Sequence, residues 1–233
     1  MISPNFIGSK RSIDIVFCID GTGSMRPCIE SVKNNARRFY AEFAKAMTDN
    51  GSDIDMMRIK MIVFRDYKCD GASSMQISRF YELPQEESDF SAFLDGIVAD
   101  GGCAEDANGL ESLYFAMNSD FVTGNKDRQV IVLFADTSAI PLRKRRSYQS
   151  YPSKMTDENG LLETWMCTQS HPSKLREKNK RLVMFAPSGS NYEKMKQSYN
   201  RSVFIPVEMH KGLDEVSFDD IIKIIAASAS SVS

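Results

Sequence analysis

Imidazole and indole are scarce in this sequence: two histidines and one tryptophan occur among 233 residues. With only His171 and His210 available, and no Gly-x-Ser-x-Gly turn, a serine or cysteine hydrolase has little from which to build a nucleophile and its base. Phosphate-binding loops are missing as well. There is no Gly-x-x-x-x-Gly-Lys run, and Gly21-x-Gly23 lacks the third glycine of a dinucleotide loop. No stretch approaches the roughly 18 consecutive apolar residues of a membrane span, and Met1 to Arg11 holds Phe6-Ile7 but no apolar segment of signal-peptide length. A soluble, unexported, cytoplasmic protein is the expectation.

Charge of one sign is not in excess either. The 29 Lys and Arg against 31 Asp and Glu leave no global field to gather nucleic acid or an acidic membrane, so neither is expected as a partner. The run Arg143-Lys144-Arg145-Arg146 lacks the interleaved aromatics of a single-strand reader and reads as a solvated loop. The five cysteines, Cys18, Cys28, Cys69, Cys103 and Cys167, are odd in number, widely spaced and without a Cys-x-x-Cys pair. Reduced thiols are expected, with Cys18 a small buried hydrophobe inside an apolar run.

What is present is ordinary globular composition, 42% hydrophobic and 26% charged. Ser12 to Ile19 is a β-branched and aromatic run, the pattern of a strand buried on both faces. Further strands are predicted at Arg58 to Phe64, Gln76 to Leu83, Gln129 to Ala135, Arg181 to Ala186 and Ser202 to Val207, the first two of these forming an antiparallel hairpin. Ile29, Val32, Ala36, Phe39 and Phe43 recur at helical spacing, with a stop at Asp49-Asn50-Gly51. Phe90 to Ile97, Leu110 to Met117 and Phe218 to Ile225 repeat that spacing. This alternation predicts an α/β fold: a doubly wound, mostly parallel six-stranded sheet, helices on both faces, and one antiparallel edge strand. One domain is expected over residues 12–233, after an extension over residues 1–11, with an elaborated polar crossover at about 141–180.

In open parallel sheets ligands sit outside the carboxyl ends of the strands, and three polar clusters fall at such ends. Asp20-Gly21-Thr22-Gly23-Ser24 follows the first strand. Asp136-Thr137-Ser138 follows the strand ending at Ala135, and Asp100 to Asn108 contains Glu105 and Asp106. Oxygen-only ligand sets suit hard cations such as Mg²⁺ or Ca²⁺. The plain alternatives are that Thr22 and Ser24 cap a helix, that Glu105 and Asp106 stabilise a helix dipole, and that Asp66 is a solvated strand-end carboxylate.

The sequence Ile19-Asp20-Gly21-Thr22-Gly23-Ser24-Met25, the glycine-rich loop ahead of a helix, and Asp136-Thr137-Ser138-Ala139 followed by Pro141-Leu142 resemble von Willebrand factor A domains. The likeness is to the bacterial stand-alone intracellular type, and by motif it covers Ser12 to Asp136. It implies a metal-ion-dependent adhesion site in which Asp20, Thr22, Ser24 and Asp136 hold Mg²⁺, or Mn²⁺ or Ca²⁺, with one position open to an acidic residue of a protein partner. It further implies a scaffold or signalling regulator, with a protein kinase or phosphatase as partner, and no enzyme activity. The second loop departs from the family. Aligned on Asn108-Gly109-Leu110-Glu111, the usual acidic positions fall on Ala104 and Ala107, leaving Glu105 and Asp106 as candidates to supply the missing oxygen. Two other readings stay open: a metal-free interaction scaffold, and a Mg²⁺-dependent phosphohydrolase with Asp20 as nucleophile. Against the second, the resemblance to the Asp-x-Asp-x-Thr motif of haloacid dehalogenase-type phosphatases fails, with Cys18 or Thr22 at the acidic positions.

Overall fold

A computed structural model describes residues 11–103, 106–124, 126–211 and 216–231. Along the chain the elements are β1 (Arg11–Asp20), α1 (Arg26–Asp49), β2 (Ile54–Phe64), β3 (Met75–Ile77), β4 (Tyr81–Leu83), α2 (Glu87–Asp95), α3 (Gly109–Met117), β5 (Arg128–Phe134), α4 (Glu158–Trp165), β6 (Lys180–Pro187), α5 (Asn191–Ser198), β7 (Ser202–Val207) and α6 (Phe218–Ser230).

Every β1 residue from Ile13 onward is buried, because the two-residue period of a strand sends alternate side chains into two separate apolar layers. Ile13, Ile15, Phe17 and Ile19 enter the layer under α1, α2 and α6, whereas Val16 and Cys18 enter the one shared with α3, α4 and Tyr192 of α5. The sheet runs β3-β2-β1-β5-β6-β7. β1 lies parallel to both β2 and β5, and β6 and β7 continue in the same sense. After β1 the chain winds outward to β2 and its hairpin, then returns to β5 on the other side. The winding therefore reverses between β1 and β5, which opens a crevice outside their carboxyl ends.

Among the described residues the sheet has seven strands, not the six expected, because the predicted strand over Gln76 to Leu83 is broken. Both pieces pair antiparallel with β2: Ile77 faces Ile62 and Tyr81 faces Ile59. One extra residue is thus accommodated as a bulge. Ser78 explains it. Its hydroxyl accepts from the Met61 amide at 2.9 Å and donates to the Arg79 carbonyl at 2.7 Å, replacing backbone partners where the ladder is interrupted. At the amino end β1 starts at Arg11, one residue inside the expected extension. The polar crossover contains α4, capped by the Asp157 carboxylate on the Gly160 amide at 2.9 Å, and it buries Trp165 completely.

Asp14 is buried in β1 at the end of the sheet remote from the crevice, and Arg58 of β2 faces it in register. The guanidinium grips it with Nε to Oδ1 at 2.8 Å and Nη2 to Oδ2 at 2.6 Å, while the Val122 amide adds a third donor at 2.7 Å. Removing one partner of such a pair strands the other charge in a medium that solvates it poorly. Arg58→Ala is expected to lower stability by about 3 kcal/mol in urea titration at neutral pH, whereas Arg58→Lys, which keeps the charge but not the two-pronged grip, is expected to lose less.

Candidate metal centre at the carboxyl ends of β1 and β5

Asp20 ends β1, and Asp136 stands two residues beyond β5; both are fully buried. Asp20 Oδ1 accepts from the Thr22 amide at 2.9 Å, which folds the first loop back over the strand end. Its other oxygen meets the Thr137 hydroxyl at 3.4 Å, linking this loop to the one after β5. The Thr22 and Ser24 hydroxyls are 3.4 Å apart. Neither makes a side-chain cap: Thr22 precedes the tight turn Gly23–Met25, and α1 begins behind Met25, without a side-chain bond in either case. The helix-capping reading is corrected accordingly, and both hydroxyl oxygens remain available to a ligand.

Burial pushes Asp20 up to about 7; the Thr22 hydrogen bonds oppose that rise, and the charge of Asp136 adds to it. Two carboxylates excluded from water in this way repel each other. With two hydroxyls beside them they form an all-oxygen donor set, and the residues present fit a hard divalent cation.

The second loop approaches from α3. Ala107 bridges to Ala139 in parallel, its amide 3.4 Å from the Ser138 carbonyl, and the Ile140 amide returns to the Ala107 carbonyl at 2.9 Å. Asp106 is therefore carried to the edge of the Asp136 loop, where its side chain is exposed. It precedes Asn108, the residue that opens α3, so it lies outside the helix's first turn, whose acidic residue is Glu111. The dipole reading does not apply to Asp106, and Glu105 lies outside the described residues.

Glu111 serves in the sequence only as an alignment anchor, with no role in a site expected of it. It is fully buried, receives the Tyr151 hydroxyl at 2.8 Å, and is pushed up to about 7, chiefly by burial. Tyr192 lies beside it, fully buried, with its hydroxyl making no hydrogen bond among the described residues. Asp66 was expected to be solvated and is instead inaccessible. Arg145, from the basic run read as a solvated loop, clamps both its oxygens at 2.8 and 2.7 Å. The expected reduced thiols also need correction, since Cys69 and Cys103 form a disulfide. Cys18 is the buried thiol expected, its ionisation pushed up to about 12 by desolvation.

No protein-family profile matches the sequence, and no curated protein matches it. Solved structures do share the fold. The pilus adhesin SpaC from Lactobacillus rhamnosus GG aligns over 94% of this chain and 31% of its own, at 10% identity and a TM-score of 0.54. A von Willebrand factor type A protein from Catenulispora acidiphila aligns over 95% of this chain and 43% of its own, at 12% identity and a TM-score of 0.51. Proximal thread matrix protein 1 from the mussel byssus aligns over 96% of this chain and 49% of its own, at 10% identity and a TM-score of 0.50. The chain spans less than half the length of each of these neighbours. The fold is von Willebrand factor A-like, and among the described residues no helix is long and apolar enough to cross a membrane.

Between its ordinary value of 3.8 and its folded value of about 7, Asp20 holds a proton in the folded chain that it releases on unfolding. Stability of the metal-free protein therefore falls as pH rises through that window, and Glu111 contributes with the same sign. Asp20→Asn removes the buried charge. It is expected to raise metal-free stability at neutral pH by about 1–3 kcal/mol and to flatten part of the pH dependence measured by urea unfolding.

Proposed function

We propose that this chain is a divalent-cation-dependent protein-binding module, acting as a scaffold or regulator within an intracellular complex. The observation that carries the reading is the burial of Asp20 and Asp136 at the ends of the two strands where the winding reverses, beside hydroxyls that cap no helix. Mg²⁺ is the cation proposed, with Mn²⁺ or Ca²⁺ as alternatives of the same oxygen-seeking class. Asp20, Thr22, Ser24 and Asp136 would hold it, directly or through water, and Asp106 is the candidate from the second loop. The bound ion would give the crevice a positive charge that these carboxylates alone lack, and an acidic side chain of a partner protein is the ligand such a charge selects.

Binding without catalysis is part of the proposal. A phosphohydrolase with Asp20 as nucleophile would need a second acid at Thr22, and one with Asp20 as the second acid would need its nucleophile at Cys18, which is buried with its thiol held neutral. The structural neighbours include an adhesin and a thread matrix protein by description, which agrees with a binding role. An intracellular setting, and a kinase or phosphatase as partner, rest on the resemblance to stand-alone members of the family. A metal-free scaffold is the second reading, favoured by Ala107 in the second loop and by the exposure of Asp106.

Calorimetric titration of Mg²⁺ and Mn²⁺ into metal-stripped protein separates the two. Saturable uptake that is lost in both Asp20→Ala and Asp136→Ala is expected, with protons released on binding because Asp20 must ionise. Absence of uptake by the unmodified chain would leave the metal-free scaffold standing.

A further inference from the structure

Cys69 lies exposed on the turn after β2, and Cys103 lies half-buried at the end of the glycine loop after α2. They are 34 residues apart in sequence, with Cα atoms 5.9 Å apart. The glycine loop rests on the first cation loop. The Asp100 amide donates to the Gly21 carbonyl at 3.1 Å, and a Cβ added to Gly102 would stand 2.7 Å from Thr22 Cγ2. Gly101 and Gly102 take φ of +75° and +86°, a conformation that carries little steric preference of its own and must be held from outside.

The side chains that hold it come from the segment after β2. Arg65, almost fully buried, donates Nε to the Asp100 carbonyl at 2.9 Å and Nη2 to the Val98 carbonyl at 2.5 Å. The Asp70 carboxylate receives the Gly102 amide at 3.0 Å. The disulfide is the covalent member of this set and its last anchor, three residues before Asp106.

We propose that Cys69–Cys103 is a reversible redox site that sets the affinity of the cation centre. The inference rests on the cation-binding reading above. A dithiol reductant attacks the exposed Cys69 sulfur, the Cys69–Cys103 bond breaks, and Cys103 leaves as a thiolate that takes a proton. The second thiol of the reductant then attacks the mixed disulfide. It closes the reductant into its own disulfide and frees Cys69, so two electrons and two protons pass to the protein. With the bond cut, the Gly101–Cys103 segment keeps only its hydrogen bonds. The oxidised state holds Gly102 against Thr22 before the ion arrives; the reduced state must order this contact on binding and binds more weakly. In a reducing compartment a disulfide of this kind is transient and sensing, in keeping with an intracellular module.

The test is Mg²⁺ titration of the full chain in three forms: oxidised, reduced with the reductant then removed anaerobically, and as the double variant Cys69→Ser with Cys103→Ser. The oxidised form is expected to bind about fivefold or more tightly than the other two, and reoxidation of the reduced chain restores the tight state. Reduced unmodified protein carries the comparison if the double variant folds poorly. Equal affinity of oxidised and reduced chains, with binding intact, overturns the redox role and leaves the cation centre standing. Failure of every form to bind Mg²⁺ overturns the cation reading, and this inference with it.

Discussion

Two carboxylates removed from water at the ends of adjacent parallel strands dictate what the surrounding loops have to do. Asp20 and Asp136 sit where the sheet's winding reverses, so helices cover both faces beneath them and open space lies only above. Their desolvation raises Asp20 toward neutrality, which is a standing cost to the folded chain. Proteins tolerate such costs at functional positions, and the divalent cation proposed above would turn this one into an attraction. The Thr22 and Ser24 hydroxyls, left out of helix capping, are the neutral oxygens that the proposal gives to such an ion.

The loops above the crevice are held by buried polar contacts and not by regular structure. Arg65 reaches three carbonyls from below, at Asp100, Ser73 and Val98. Asp66 receives Arg145 from the polar crossover, and Asn108 ties the start of α3 to the same segment through the Tyr67 amide at 3.0 Å. The residues after β2 are therefore the platform for both the glycine loop and the crossover, and the Cys69–Cys103 bond lies on that platform. Buried networks of this sort fix a single geometry when fully satisfied. The proposed cation site, assembled from separate loops, would depend on such a network for its geometry.

Much of the fold was legible because its signals are local. The apolar runs at Ile13 to Ile19 and Gln129 to Phe134 are strands in both readings, and the spacing from Ile29 to Phe43 is the buried face of α1. Strand ends also pointed to the loops after β1 and β5 as neighbours, which the Thr137 hydroxyl on Asp20 joins, since the crevice follows from topology alone. What escaped depends on distant partners. The Asp66–Arg145 pair joins residues 79 positions apart, and the disulfide joins two loops that no spacing rule connects. The break between β3 and β4 turns on one Ser78 hydroxyl taking a ladder amide, a choice that alternating hydrophobicity does not encode. Glu111 was hidden because a buried carboxyl in a helix's first turn looks, in sequence, like an exposed one.

Anomalous diffraction from crystals grown with Mn²⁺ tests the central claim most directly, because it locates the ion without reference to activity or partner. The account predicts one strong peak bounded by Asp20 and Asp136 with Thr22 and Ser24 alongside, and no such peak in Asp20→Asn crystals. An ordered, metal-soaked crevice without a peak, or a peak at a different group of side chains, would contradict it.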